Sequence, residues 1–229
     1  MIKKAVIATL CIFTAHVHAQ GVELTIEQDK LSYTFGYQIG LQIKKQFDQQ
    51  MGDIDPKLFS RAIEDVLSSK EPAMTREEMQ VIMEADARKQ QEKLAAAAGK
   101  NKAAGEAFLI EFAARDGVEK TESGILYEIM KVGEGDKPLK ESTVVVHYRG
   151  TLIDGQEFDS SYKRNQPAEF PLTGIIPGWT EVLQLMPVGS HWKVAIPYQL
   201  AYGERGSPPR IGPAEALVFE IELIEIKSK

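Results

Sequence analysis

Cysteine is almost absent from this chain: Cys11 is the only one in 229 residues. A single thiol leaves no disulfide framework within the chain. Histidine is scarce too, with four in all. His16 and His18 fall in the first nineteen residues, and His147 and His191 sit in strand-like segments without partner-ligand spacing, so no zinc or other metal site is expected. Basic residues number 27 against 33 acidic ones. That balance opposes a nucleic-acid partner, because a phosphate backbone demands a basic surface. No segment reaches the roughly 20 consecutive apolar residues that span a bilayer.

The first nineteen residues read as a secretory signal. Lys3 and Lys4 form a basic start, Ala5 to Val17 is an apolar run, and Val17-His18-Ala19 offers small residues at the −3 and −1 positions of a cleavage site. Leu10 before Cys11 fits a lipoprotein cleavage site poorly. Removing residues 1–19 takes two lysines and the cysteine, leaving 25 basic and 33 acidic residues and a net charge of −8. An exported, cysteine-free chain suits the bacterial periplasm or the cell surface, with outer-membrane association open.

The remaining length suits two small domains joined by a connector. Residues 20–74 read as helical. Leu31, Phe35, Ile39 and Ile43 recur every four residues, widened by Tyr37 and Leu41, so a helix is expected over Leu31–Phe47. Asp55-Pro56 starts a second helix whose Phe59, Ile63, Val66 and Leu67 share a face. Two such helices hide too little apolar surface to fold well alone. Gly36-x-x-x-Gly40 lets another backbone approach closely, so a homodimer through these helices is expected, with an intrachain contact at the glycines as the alternative. Residues 75–116 open on a capping box, Thr75 to Glu78. They continue in Ala, Glu, Lys and Gln as a long connecting helix, which Gly99 and Gly105 could break or fray. The polar, alanine-rich part from Lys89 to Ala104 reads as a solvated rod.

From residue 117 the texture turns to β. Strands are expected at Ile125–Val132, Thr143–Leu152, Gln156–Asp159, His191–Ile196 and Leu217–Ile226, with a hairpin turn at Asp154-Gly155 and one short helix from Ile176 to about Leu185. Five strands and one helix make an α+β layout, a bent antiparallel sheet wrapped on the helix. Tyr148, Phe158 and Asp159 lie on and just past the hairpin. Trp179 and Tyr202 follow at spacings that let all five meet in one small cavity. An aromatic cup with one carboxylate and one phenol at its lip lacks the parts for covalent chemistry. It suits a small apolar ring beside an amide carbonyl, as a prolyl residue presents. Ser160 and Lys163 match an acylating-serine spacing, but its companion motifs are missing.

The segments VVVHYRGTLIDGQEFDSSYKRNQP, IIPGWTEVLQLMPVGS, IPYQLAYGERG and ALVFEIELIEI resemble the FKBP-type peptidyl-prolyl cis-trans isomerases in order and spacing from about Thr121 to Lys229, within an expected isomerase domain of residues 117–229. With the helical first half, the whole chain resembles the macrophage infectivity potentiator group. That resemblance implies a dimer through the N-terminal domain, with each isomerase domain held out on a long helix. It makes Tyr148, Phe158, Trp179 and Phe219 the walls and floor of a prolyl pocket flanked by Ile175 and Ile176, whose Ile176 N–H would bond a substrate carbonyl. Asp159 and Tyr202 would be the polar rim groups, and Arg164 would pair with Asp159. It implies no cofactor, proline-containing polypeptides as partners, and macrolide inhibitors of the FK506 and rapamycin type. Two departures bear on ligand affinity. Ala168 stands where an aromatic rim residue is common, and SPPRIGP over Ser207–Pro213 replaces an apolar flap.

Three readings of different class follow: an active isomerase of exported proteins, a chaperone or holdase that clamps unfolded chains between two cups, and a surface protein that binds proline-rich host material. The intact aromatic set with Asp159 favours the first, and the long arms favour the second as an added role.

Overall fold

A computed structural model describes residues 24–46 and 54–227. The expected signal segment and Phe47, the end of the first expected helix, lie outside them. The chain divides into two compact units at Glu71/Pro72.

The first unit contains α1 (Glu27–Gln46) and α2 (Pro56–Leu67). Acidic Glu27 and Asp29 open α1 and basic Lys44 and Lys45 close it, both favourable to the helix dipole. Asp55 caps α2 by accepting from the Lys57 backbone N–H at 2.7 Å. Within one chain the apolar stripe of α1 has little to pack on: Leu31, Phe35 and Ile39 are each about half exposed. A Cβ built on Gly36 or Gly40 would meet nothing within 4 Å, so no contact among the described residues accounts for these glycines.

The second unit begins with α3 (Arg76–Ala113), capped by the expected Thr75–Glu78 box. Its 38 residues run unbroken through Gly99 and Gly105, a rod of about 57 Å at 1.5 Å per residue. From Ala98 onward one face of this rod is packed, while most of its residues stay exposed as the composition suggests. Ala98, Gly105 and Phe112 are buried. A Cβ on Gly105 would stand 3.1 Å from that of Ala216. The Asn101 side chain donates to the Pro213 carbonyl at 2.9 Å, and the Lys102 ammonium lies 2.6 Å from Glu204 and above the Tyr198 ring. Small residues here allow close backbone approach, and the polar ones engage the opposing loop directly. Composition alone reads as solvent exposure because it registers only apolar bulk.

A seven-stranded antiparallel sheet follows: β1 (Val118–Lys120), β2 (Leu126–Lys131), β3 (Thr143–Leu152), β4 (Glu157–Ser160), β5 (Ala168–Pro171), β6 (His191–Ile196) and β7 (Leu217–Lys227). The order is β1-β2-β6-β7-β3-β4, with β5 also paired to β3. The two strands beyond the expected five, β1 and β5, have three and four residues, too few for a period-two pattern to register. The expected helix is α4 (Pro177–Leu183), with proline at its first turn. Trp179, Val182 and Leu183 of α4 join Val144, Val146, Ile221 and Leu223 of the sheet in one buried core. This is the α+β arrangement expected.

At the far end of α3, Phe112 is fully buried with Leu126 and Ala195, and Phe108, Leu109 and Val118 pack around them. A fragment starting at residue 117 loses this cluster. Deleting a buried phenylalanine side chain typically costs about 3–5 kcal/mol. Urea unfolding should therefore find residues 117–229 markedly less stable than residues 94–229; equal midpoints would mean that α3 is only a spacer.

Candidate active site

β3 changes partner along its length. Its first half, Thr143 to Val146, pairs with β5, and Arg149 to Thr151 pair with β4. Tyr148 lies at the junction, buried, and lines a cavity. The β3–β4 ladder slips between Gly150↔Asp159 and Thr151↔Glu157, so Phe158 is an extra residue opposite no partner. That bulge brings Phe158 and Asp159, neighbours in sequence, to the same cavity.

Trp179 is the centre of the floor. Tyr148 stands 5.2 Å from it at 87°, Phe219 5.2 Å at 80° and Phe170 5.6 Å at 88°, all edge to face. Phe158 meets Phe219 in the same way, at 5.6 Å and 85°. Edge-to-face contacts align the positive ring edge with the negative face of the neighbour, adding about 0.5–1.5 kcal/mol each beyond burial. The cavity holds about 430 Å³. Gly150 makes it possible, since a Cβ there would fall 2.7 Å from the Phe158 ring and 2.8 Å from that of Phe219.

The polar groups divide into a tied set and a free set. Asp159 accepts from the Tyr148 hydroxyl through one carboxylate oxygen, and from Arg164 at 2.5 Å and the Ser160 backbone N–H at 2.9 Å through the other. Arg164 also donates to the Tyr148 hydroxyl oxygen at 2.9 Å, closing a triangle. The Tyr202 hydroxyl and the Ile176 backbone N–H, by contrast, have no hydrogen-bond partner among the described residues. Tyr202 is 41% exposed, so water reaches it until a ligand arrives.

Burial alone would raise the Asp159 carboxyl, but the bonds from Tyr148 and Arg164 outweigh it and hold the group below its ordinary value. Burial, reinforced by Asp159, raises both Tyr148 and Tyr202, with Arg164 partly opposing the shift at Tyr148. The carboxylate therefore stays charged and both phenols stay neutral across the physiological range.

The structure brings Tyr148, Phe158, Asp159, Ile175, Ile176, Trp179, Tyr202 and Phe219 to one cavity. Arg164 does not line it but holds Asp159 from behind. Sequence reasoning missed Phe170 and Gly150. Ala168 lacks an aromatic ring, and Phe170 stands two residues on in the same strand, with its ring centroid 5.8 Å from that of Tyr148.

The family model for FKBP-type peptidyl-prolyl cis-trans isomerase matches residues 134–224, and that for the domain amino terminal to such isomerases matches residues 28–129. The chain belongs to the FKBP-type peptidyl-prolyl cis-trans isomerases. It is 41% identical to the outer membrane protein MIP of Legionella longbeachae over 97% of this chain and 96% of that one. It is 43% identical to the FKBP-type 22 kDa peptidyl-prolyl cis-trans isomerase of Escherichia coli over 86% and 97% of the two chains. The crystal structure of FkpA from Escherichia coli matches with a TM-score of 0.63 and 34% identity, covering 90% of this chain and 99% of that one. These relatives support the Mip-like group within the family.

The charge states give the isomerase a distinctive pH dependence. A carboxyl with a depressed folded value contributes stability that is present above the unfolded value and lost as pH falls through the folded one. Turnover of an X–Pro peptide should be level between about pH 5 and pH 9 and fall only in acid, as Asp159 protonates. A bell centred near neutrality would require a proton-transfer group that this cup lacks.

Proposed function

We propose that the cup of this isomerase accelerates X–Pro isomerisation by binding the prolyl ring on Trp179, between Tyr148, Phe158 and Phe219. The X–Pro barrier, about 18–20 kcal/mol, comes from amide resonance. Twisting the bond breaks that conjugation and reduces charge separation. A dry aromatic wall therefore favours the twisted amide over the planar one, which water solvates better. This is differential binding without a covalent step. The Ile176 N–H would hold one substrate carbonyl, and the Tyr202 hydroxyl a second polar contact at the lip. The observation that carries this reading is the pairing of a closed Tyr148–Asp159–Arg164 triangle with two unpartnered donors at the same cavity. Macrolides of the FK506 and rapamycin type are proposed to enter the same cup.

Exported polypeptides are the proposed substrates, from the signal-like first nineteen residues and from a relative named as an outer membrane protein. The periplasm is the proposed compartment, with the outer membrane or cell surface as further possibilities. Among the described residues no helix is long and apolar enough to cross a membrane. Residues 20–74 are proposed as a dimerisation domain, 75–116 as the connecting helix and 117–229 as the isomerase domain, packed on the end of α3. A chaperone or holdase role alongside turnover is the second reading, favoured by the 38-residue length of α3.

Asp159→Leu and Tyr202→Phe should each lower kcat/KM for an X–Pro peptide while circular dichroism shows an intact fold. Losing one such polar contact costs about 1–3 kcal/mol, roughly fivefold or more in rate. Trp179→Ala should instead cost stability, about 3–5 kcal/mol. Unchanged turnover in both polar variants would remove the cup from the reaction.

Apolar patches the size of the α1 stripe are rarely left open on a monomer, and a two-fold pairing of the same face is the simplest closed solution. Light scattering of the protein at micromolar concentration should give about twice the mass of one chain. Gly40→Leu should shift it toward the monomer and spare turnover of short peptides. A wild-type monomer would refute the pairing.

A further inference from the structure

The segment from Gly203 to Ala216 arches beside the cup and is firmly held. Ser207 and Ile211 exchange backbone hydrogen bonds at 2.9 and 3.1 Å, making a tight turn with Pro208, Pro209 and Arg210 at its tip. Ile211 is buried in the main core, and Asn101 of α3 grips the Pro213 carbonyl. The Ala214 N–H closes the arch on the Gly203 carbonyl at 3.0 Å. Arg210 is thus displayed from a braced turn, one residue before a core anchor. Its guanidinium donates to the carbonyl of Phe158 at 2.9 Å, at the wall of the cup and one residue before Asp159.

Ion pairs engage most of the other charged side chains beside the cup. Asp159 pairs with Arg164, Glu157 with Arg149 and Lys163, and Glu204 with Lys102. Arg210 has no carboxylate within ion-pair distance among the described residues. Glu157 faces two cations, and Arg205 and Glu215 of the arch have no ion pair among the described residues, so the lip is locally positive on a protein whose net charge is −6, and Arg210 is the unpaired cation bonded at the cup wall. At moderate ionic strength charges beyond about 10 Å are largely screened, so a bound segment responds to Arg210 more than to the distant acidic surface. A guanidinium with one donor on a backbone carbonyl keeps others free, and it suits carboxylate recognition in particular.

We propose that Arg210 is a specificity-determining residue that selects polypeptide segments with aspartate or glutamate next to the isomerising proline. The inference rests on the cup being the substrate site.

The test uses the full-length protein and tetrapeptides of the Ala-Xaa-Pro-Phe type, with Xaa glutamate, alanine or lysine, and a matching set with the charge placed after proline. At low salt the acidic peptide of at least one set should exceed the neutral one in kcat/KM by up to about fivefold, the reach of an exposed ion pair, with the lysine peptide lowest. About 0.5 M sodium chloride should collapse the difference. Arg210→Lys should keep the order and Arg210→Glu should invert it. A role confined to propping Phe158 would change all three peptides in proportion and leave the order intact. That outcome, or a wild-type protein indifferent to substrate charge in both sets, would overturn the proposal. Asp159→Leu separates this failure from failure of the cup. If that variant still turns over every peptide, the site is wrong; if it loses turnover while Arg210→Glu keeps the wild-type order, only the role of Arg210 fails.

Discussion

Phe158 and Asp159 are adjacent, and in a regular strand their side chains would leave on opposite faces. The bulge in β4 cancels that alternation and delivers a ring and a carboxylate to the same cavity. Much of the site depends on this local slip. Asp159 can then reach the Tyr148 hydroxyl, which fixes the phenol at the wall, and Arg164 can close the triangle from outside. Phe158 can then lean on Phe219 over Gly150. A regular strand would turn either Phe158 or Asp159 to the opposite face and leave the cavity without it.

A half-buried carboxylate beside four aromatic rings is costly unless its charge is met. The triangle meets it, so Asp159 is not free to act as a base. Its three bonds make it a structural anion that keeps Tyr148 and Arg164 in register. In the proposed mechanism the polar contacts to a substrate fall to groups without partners among the described residues, the Tyr202 hydroxyl and the Ile176 N–H. An enzyme that only has to twist an amide needs little more: apolar surface that disfavours the planar dipole, and donors that hold the flanking carbonyls.

The strands lying in the middle of the sheet were legible because β3, β6 and β7 are long and apolar on at least one face. Their expected bounds differ from the observed ones by a residue at most. The cup residues were legible because they cluster around two turn signals, Asp154-Gly155 and Pro177-Gly178. Phe170 was not, since a four-residue strand offers no periodicity to mark its face. Nor was the bulge: nothing in GQEFDSS distinguishes an extra residue from a regular strand, because register is decided by the partner. The packing of α3 escaped for a different reason. Asn101, Lys102 and Gly105 look like solvent-facing residues, yet their contacts are with a loop more than ninety positions away.

Those contacts change what the long helix is. Asn101, Lys102 and Gly105 meet Pro213, Glu204 and Ala216, all within the arch that starts one residue after Tyr202 and displays Arg210. An arm that merely spaced two domains would need no such grip, and a flexible tether would serve it as well. Because the grip falls on the segment framing the lip, a force that bends the end of α3 must either break these bonds or carry the arch with it. The helix is thus part of the scaffold that sets the position of the free phenol. Its boundary with the isomerase domain is a packed interface, with Phe112 at its core, rather than a hinge.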